Sequence, residues 1–192
     1  MRSHQMERKR CLAGILSIER YRENSVRISC CWRMELTRYG EKEEENMREE
    51  ISVLIEEDKV IEKVKELAAK INKDYAGRSL HIICILKGSI FFTCDLAKYI
   101  DVPVTLDFMS VSSYGDGTSS SGYVTIQQDL THSIQGKDVL LVEDIVDSGR
   151  TLSYLVHMLK KREPASLEIC TLLDKPSCRE CEVDVAYSGF EV

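Results

Sequence analysis

No apolar run in these 192 residues approaches the ~20 needed for a helix to cross a bilayer. The opening MRSHQMERKR is basic, but Cys11–Ile18 behind it is too short and too interrupted to form a signal-peptide core. Positive charge is in deficit as well: 26 Lys and Arg stand against 32 Asp and Glu, a net −6. That deficit argues against a general nucleic-acid binder, which needs a basic face to neutralise phosphates. A phosphorylated small molecule is not excluded, because the free N–H groups of one helix start suffice locally. The eight cysteines lack the spacing of a secreted disulfide framework. Cys84, Cys94 and Cys170 lie within apolar runs, where a thiol behaves as a small hydrophobe. Cys178-Arg-Glu-Cys181 is a lone CxxC with no matching pair for a tetrahedral zinc site, Cys30-Cys31 being remote and wrongly spaced. What these absences leave is a soluble, cytosolic chain with one ordinary core, 43% hydrophobic and 30% charged.

The chain changes character near Met47. Up to Asn46 there are ten Lys/Arg against eight Asp/Glu; beyond it, sixteen against twenty-four. Residues 1–46 carry no sustained helical or strand period and end in the charged run Glu41–Glu45. They read as a disordered tail, an interaction arm or a non-native leader upstream of Met47. The last is preferred because regular pattern begins directly after Met47. The domain is therefore expected over residues 47–192.

From there the periods are legible. Ile51–Ile55 is a short apolar run, and Val60, Ile61, Val64, Leu67, Ala68 and Ile71 recur at helical spacing, with Gly77 as the stop. Leu80–Leu86 is a continuous apolar run, which predicts a strand covered on both faces. Ser89–Ile100 predicts a helix with Ile90, Phe91, Cys94, Leu96 and Ala97 inward. Val104–Val111 predicts a strand, Ser112–Gly122 a long Gly/Ser-rich mobile loop, and Tyr123–Gln128 a returning strand. Asp138–Asp144 is a strand with two carboxylates at its end. Thr151–Arg162 is a helix closed by Pro164, followed by strands at Leu167–Leu173 and Val183–Tyr187. Strands alternating with helices make an α/β fold with a parallel central sheet flanked by helices, whose ligand sits at the carboxyl ends of the strands.

Chemistry concentrates in Val142-Glu-Asp-Ile-Val-Asp-Ser-Gly-Arg-Thr151. A buried strand delivers Glu143 and Asp144, and Ser148-Gly149-Arg150-Thr151 opens a helix. Its free N–H groups, with the Ser148 and Thr151 hydroxyls, form a cradle for a monoester phosphate, and Gly149 admits close backbone approach. The adjacent acids suit sugar hydroxyls, held directly or through a divalent cation. Asp147 stands between those parts, where a proton-transfer group for a bound base belongs. The competing reading is plain helix capping by Asp147-Ser148 with both acids solvated.

This decapeptide resembles the phosphoribosyl-pyrophosphate motif of the type I phosphoribosyltransferases, and more narrowly that of the bacterial hypoxanthine-guanine enzymes. Leu86-Lys-Gly-Ser89 resembles their pyrophosphate loop, in which the Leu-Lys peptide is typically cis. Ser113-Tyr114-Gly115 with its Gly/Ser run resembles their flexible catalytic lid, and Lys175 stands where they place a purine-reading lysine. The resemblance covers about Met47 to Val192. It implies the type I fold with a lid loop, and a purine-salvage transferase that joins hypoxanthine or guanine to phosphoribosyl pyrophosphate with Mg²⁺. It also implies a homodimer or homotetramer, while the composition and charge already read point to a cytoplasmic chain that binds neither nucleic acid nor membrane.

The implied roles follow position by position. The 5′-phosphate rests on Asp147, Ser148, Gly149, Arg150 and Thr151. Glu143 and Asp144 face the ribose and the metal, and Lys87 and Gly88 bind pyrophosphate. Ser113 and Tyr114 belong to the lid, Asp147 exchanges a proton with purine N7, and Lys175 donates to the oxygen at C6. Family members usually continue beyond the equivalent of Val192, supplying an aromatic that stacks on the base, an aspartate for a second Mg²⁺ and an arginine for pyrophosphate. The expectation is a largely intact fold with phosphate binding retained and turnover impaired. A non-catalytic, nucleotide-responsive regulatory or interaction module of the same fold is the alternative.

Overall fold

The computed structural model of the chain describes residues 55–113 and 124–192. The expectations for residues 1–46, for Ile51–Leu54 and for Tyr114–Gly122 lie outside the described residues. The chain divides into two units, Met1–Val60 and Ile61–Val192; of the first, only the residues entering helix α1 (Glu57–Asp74) are described.

In the second unit the apolar stripe of α1 buries Val64, Leu67, Ala68 and Ile71, and the chain turns at Gly77, whose φ is +77°. Strand β1 (Leu80–Leu86) follows, then helix α2 (Ile90–Ala97) and strands β2 (Val104–Ser113) and β3 (Val124–Gln128). Strand β4 (Asp138–Val146), helix α3 (Arg150–Lys160), strand β5 (Ser166–Asp174), a 3₁₀ turn at Pro176–Cys178 and strand β6 (Tyr187–Glu191) complete it. The sheet order is β3-β2-β1-β4-β5-β6, parallel except where β3 pairs antiparallel with β2.

Because strand side chains alternate, the apolar runs of β1, β4 and β5 serve two faces at once. Ile83, Ile85, Met109, Leu141 and Ile169 form one face, packed with Leu152, Leu155 and Leu159 of α3. Ile82, Cys84, Leu140, Val142, Cys170 and Leu172, of the opposite parity, are equally buried. Burial pushes the Cys84 and Cys170 thiols up, as befits small apolar fillers. Among the described residues no helix is long and apolar enough to cross a membrane.

Three expectations are corrected. Cys94 is exposed, not inward: α2 buries Phe92, Thr93 and Leu96, so of the residues expected inward only Leu96 is fully buried, with Ile90, Phe91 and Ala97 half-buried. Helix α3 ends at Lys160, before Pro164; the chain reverses at Glu163, whose φ is +56° and whose carbonyl accepts the Gly136 N–H at 2.9 Å. The last strand is Tyr187–Glu191 rather than Val183–Tyr187. Val183 and Val185 spend their alternation on packing against the α3 face of the core, and ladder pairing with β5 starts only at Tyr187 opposite Cys170.

Candidate active site

The sheet order reverses between β1 and β4: the chain leaves β1 toward β2 on one side and leaves β4 toward β5 on the other. The loops leaving their carboxyl ends therefore diverge and open a crevice, the place where open α/β sheets bind ligands. Residues 87–89 follow β1 and residues 147–149 follow β4, so both halves of the sequence motif open on this crevice.

The two meet at atomic contact. A Cβ built on Gly88 would lie 2.3 Å from Asp144 Oδ2, so the Asp144 carboxylate occupies the space that any other residue at 88 would need. The Leu86–Lys87 peptide is cis, and the loop enters α2 through Ser89, whose buried hydroxyl donates to the Ile85 carbonyl at 2.6 Å. Asp144 Oδ1 accepts the Ile145 N–H at 3.0 Å. Next to it, burial pushes the Glu143 carboxyl well above the usual carboxylate range, and the hydrogen bond and repulsion of Asp144 add to the rise. Two crowded acids at a strand end are a site that cation or hydroxyl donors would relieve. Among the described residues no cluster of three or more metal-ligating side chains is present, so a Mg²⁺ held here would need oxygens from the ligand as well.

Beyond β4 the chain makes the sharp turn that the glycine anticipates. Gly149 has φ +79°, a left-handed conformation that favours glycine, and precedes the first residue of α3. A Cβ there would meet the Cys181 carbonyl at 2.6 Å. The Ser148 hydroxyl lies 3.5 Å from the Arg150 N–H, and the Gly149 carbonyl accepts the Ser153 N–H at 2.8 Å. The Arg150 side chain pairs with Glu180.

Lys175 follows β5, and its N–H donates to the Val146 carbonyl at 2.9 Å. That bond brings its ammonium to 4.0 Å from Asp147 Oδ1, with the lysine largely covered and Asp147 exposed. Asp147, Ser148, Gly149, Arg150 and Thr151 thus form one turn, with Glu143, Asp144, Lys87 and Gly88 beside it and Lys175 across from Asp147. Ser113 ends β2, its side chain and Tyr114 lying outside the described residues. Sequence reasoning missed Asp174, Arg179 and Glu180, which brace the turn from behind. Arg179 and Glu180 showed only as two charged residues inside the CxxC, and Asp174 only as an acid ending an apolar run, which says nothing about what they touch.

An open, mostly parallel sheet with a glycine turn at its switch point is common to many α/β proteins, and it is comparison with known proteins that gives the class. Residues 54–192 match the phosphoribosyl transferase domain family. The chain is 49% identical over 140 residues to the hypoxanthine-guanine phosphoribosyltransferase of Bacillus subtilis, covering 73% of this chain and 78% of that protein. It is 49% identical over 149 residues to the bifunctional protein TilS/HprT of Listeria monocytogenes, covering 77% of this chain but only 23% of that longer protein. A crystal structure of a hypoxanthine-guanine phosphoribosyltransferase from Bacillus anthracis superposes with a TM-score of 0.70 at 44% identity, covering 73% of this chain and 83% of that one. The chain belongs to the phosphoribosyltransferase family, in its hypoxanthine-guanine branch.

Proposed function

We propose that the chain is a purine-salvage transferase converting hypoxanthine or guanine and phosphoribosyl pyrophosphate to IMP or GMP and pyrophosphate. The observation that carries this reading is the meeting, at one switch point, of the 147–151 turn, the Glu143–Asp144 pair and a lysine 4.0 Å from Asp147. A regulatory module of the same fold is not favoured, because its relatives are named as transferases and the proton-transfer and base-reading positions are both filled.

In this reading the 5′-phosphate lies on the main-chain N–H groups and hydroxyls of Asp147–Thr151. Glu143 and Asp144 hold the ribose hydroxyls, and the Lys87–Gly88 turn holds the pyrophosphate. Glu143 and Asp144 would hold Mg²⁺ carried in with the donor, and the ion would neutralise charge on the departing pyrophosphate. N9 of the purine forms the new bond to C1′ as the bond to pyrophosphate breaks, while Asp147 accepts the proton from N7. Lys175 donates to the oxygen at C6, a bond that the amino group of adenine cannot accept. The protein is read as a cytoplasmic homodimer or homotetramer.

The test offers the 192-residue chain Mg²⁺, phosphoribosyl pyrophosphate and one base at a time. Nucleotide from hypoxanthine and guanine but not adenine, formed at an impaired rate, is the expected result. A folded chain that forms nucleotide from no base overturns the activity, and one that also fails to bind the donor retains only the fold.

A further inference from the structure

We infer that Arg179 is a positioning residue for this site, one side chain that holds the peptide carrying Asp147 and the strand end carrying Lys175 in register. The inference rests on the reaction proposed above but is drawn from contacts that involve no substrate. Arg179 Nη1 donates to the main-chain carbonyl of Asp147 at 3.2 Å. Its Nη2 pairs with the carboxylate of Asp174, the residue immediately before Lys175. Both side chains are sheltered, 18% and 16% exposed, whereas the neighbouring Arg150–Glu180 pair is 50% and 52% exposed. An exposed pair of the latter kind contributes little, while a sheltered bridge to two fixed acceptors constrains geometry.

The rest of the brace shows why this side chain matters. Three successive carbonyls of the turn are bonded by the segment after β5. The Val146 carbonyl accepts from Lys175 N at 2.9 Å, and the Ser148 carbonyl accepts from Glu180 N at 2.9 Å and Cys181 N at 3.0 Å. Those struts are main chain to main chain. The middle carbonyl, that of Asp147, is held by the Arg179 guanidinium. The planar peptide that carries this carbonyl also carries the Ser148 N–H, so fixing one end fixes the other. Arg179 therefore sets the direction of a donor in the phosphate turn as well as the root of the Asp147 side chain. The planar fork of arginine reaches two acceptors at once, which the single ammonium of lysine does not reproduce. The aliphatic stem contributes too, with Cδ 3.1 Å from where a Gly149 Cβ would stand.

The test compares Arg179→Lys and Arg179→Met with the parent in the full chain, by two readouts. Amide hydrogen exchange over 147–152, measured without substrate, is expected to quicken about tenfold in the methionine variant and less in the lysine variant. With substrates, kcat for hypoxanthine is expected to fall roughly ten- to a hundredfold, with partial rescue in the lysine variant. The KM for phosphoribosyl pyrophosphate is expected to rise and that for the base to change least. The lysine variant keeps the charge beside Asp174, so it remains measurable if the methionine variant folds poorly. Unchanged exchange in the turn, or kcat and both KM values within about twofold of the parent in a substituted chain, overturns the inference. A parent that forms no nucleotide overturns the proposed reaction instead, and the exchange result then decides the role of Arg179 alone.

Discussion

Asp147 follows β4 and Lys175 follows β5, and the parallel pairing of those strands is what sets their charged ends 4.0 Å apart. Asp147 was legible from its place between a strand end and a helix start, whereas Lys175 was singled out only by the family resemblance. Their proximity was not legible, because strand neighbours in a parallel sheet are chosen by topology rather than by local pattern. If Asp147 moves the N7 proton, Asp147→Asn should lower turnover by about 10²–10⁴-fold while donor binding, measured by calorimetry, stays within a few-fold. An unchanged rate would remove Asp147 from proton transfer. A hydrogen bond from a charged donor is worth about 1.5–3 kcal/mol, so Lys175→Ala should cut kcat/KM for hypoxanthine and guanine roughly ten- to a hundredfold. Indifference of both bases to that change would take Lys175 out of base recognition. Arg179 illustrates the opposite case: an arginine in a polar stretch carries no local sign that its partners are the Asp147 carbonyl and the Asp174 carboxylate.

At the scale of elements, the turn between β4 and α3 was the most legible part of the chain. Glycine before a helix start, preceded by Asp-Ser, was read as a point of close backbone approach, and the folded chain adds a left-handed conformation there, φ +79°. Only the folded chain shows the second reason for that glycine, the Cys181 carbonyl 2.6 Å from where a Cβ would stand. Gly77 provides the comparison, with φ +77° and nothing within 4 Å of its Cβ position. Left-handed backbone alone costs a non-glycine residue of order 1–3 kcal/mol. Gly149→Ala should therefore lower Tm by more than Gly77→Ala, at about 2–4 °C per kcal/mol for a chain of this size. Equal shifts in thermal unfolding would show that the 181 contact is without consequence. The elements misread were those with a weak or shared signal. Helix α2 is apolar almost throughout, so its periodicity could not tell Cys94 from Phe92. The alternation at Val183 and Val185 looked like a strand because packing on a core and pairing in a ladder produce the same pattern.

At the scale of the whole molecule, one acid-sensitive contact lies outside the site, at Asp107. Buried Asp107 of β2 accepts the N–H groups of Phe108 and Thr131 at 2.9 Å and of His132 at 3.1 Å, and the Thr131 hydroxyl at 3.0 Å. Burial would push its carboxyl up, but these donors outweigh that and hold it below the usual carboxylate range. A depressed folded value means that the stabilisation is fully present above the unfolded pKa of about 3.9 and is lost as pH falls through the lower folded value. Asp107→Asn should thus cost about 1–3 kcal/mol near neutral pH, with the gap to the parent closing below about pH 4. A gap that stays constant down to pH 2 would show that the ionised form is not what stabilises β2 against the 131–132 turn.

The sequence by itself determined most of the order of elements, the buried strands and the glycine turn between β4 and α3, because each depends on neighbours within a few positions. Apolar runs, helical spacing and a glycine before a helix act locally, and they do so whatever the rest of the chain is doing. Only the tertiary structure decided that β1 and β4 lie side by side, that Asp144 fills the space left by Gly88, and that Arg179 braces Asp147 from behind. Those contacts join residues far apart in the chain. They exist because buried strands must pair with partners that satisfy every backbone group and leave no void, a condition set by the whole sheet rather than by any one segment.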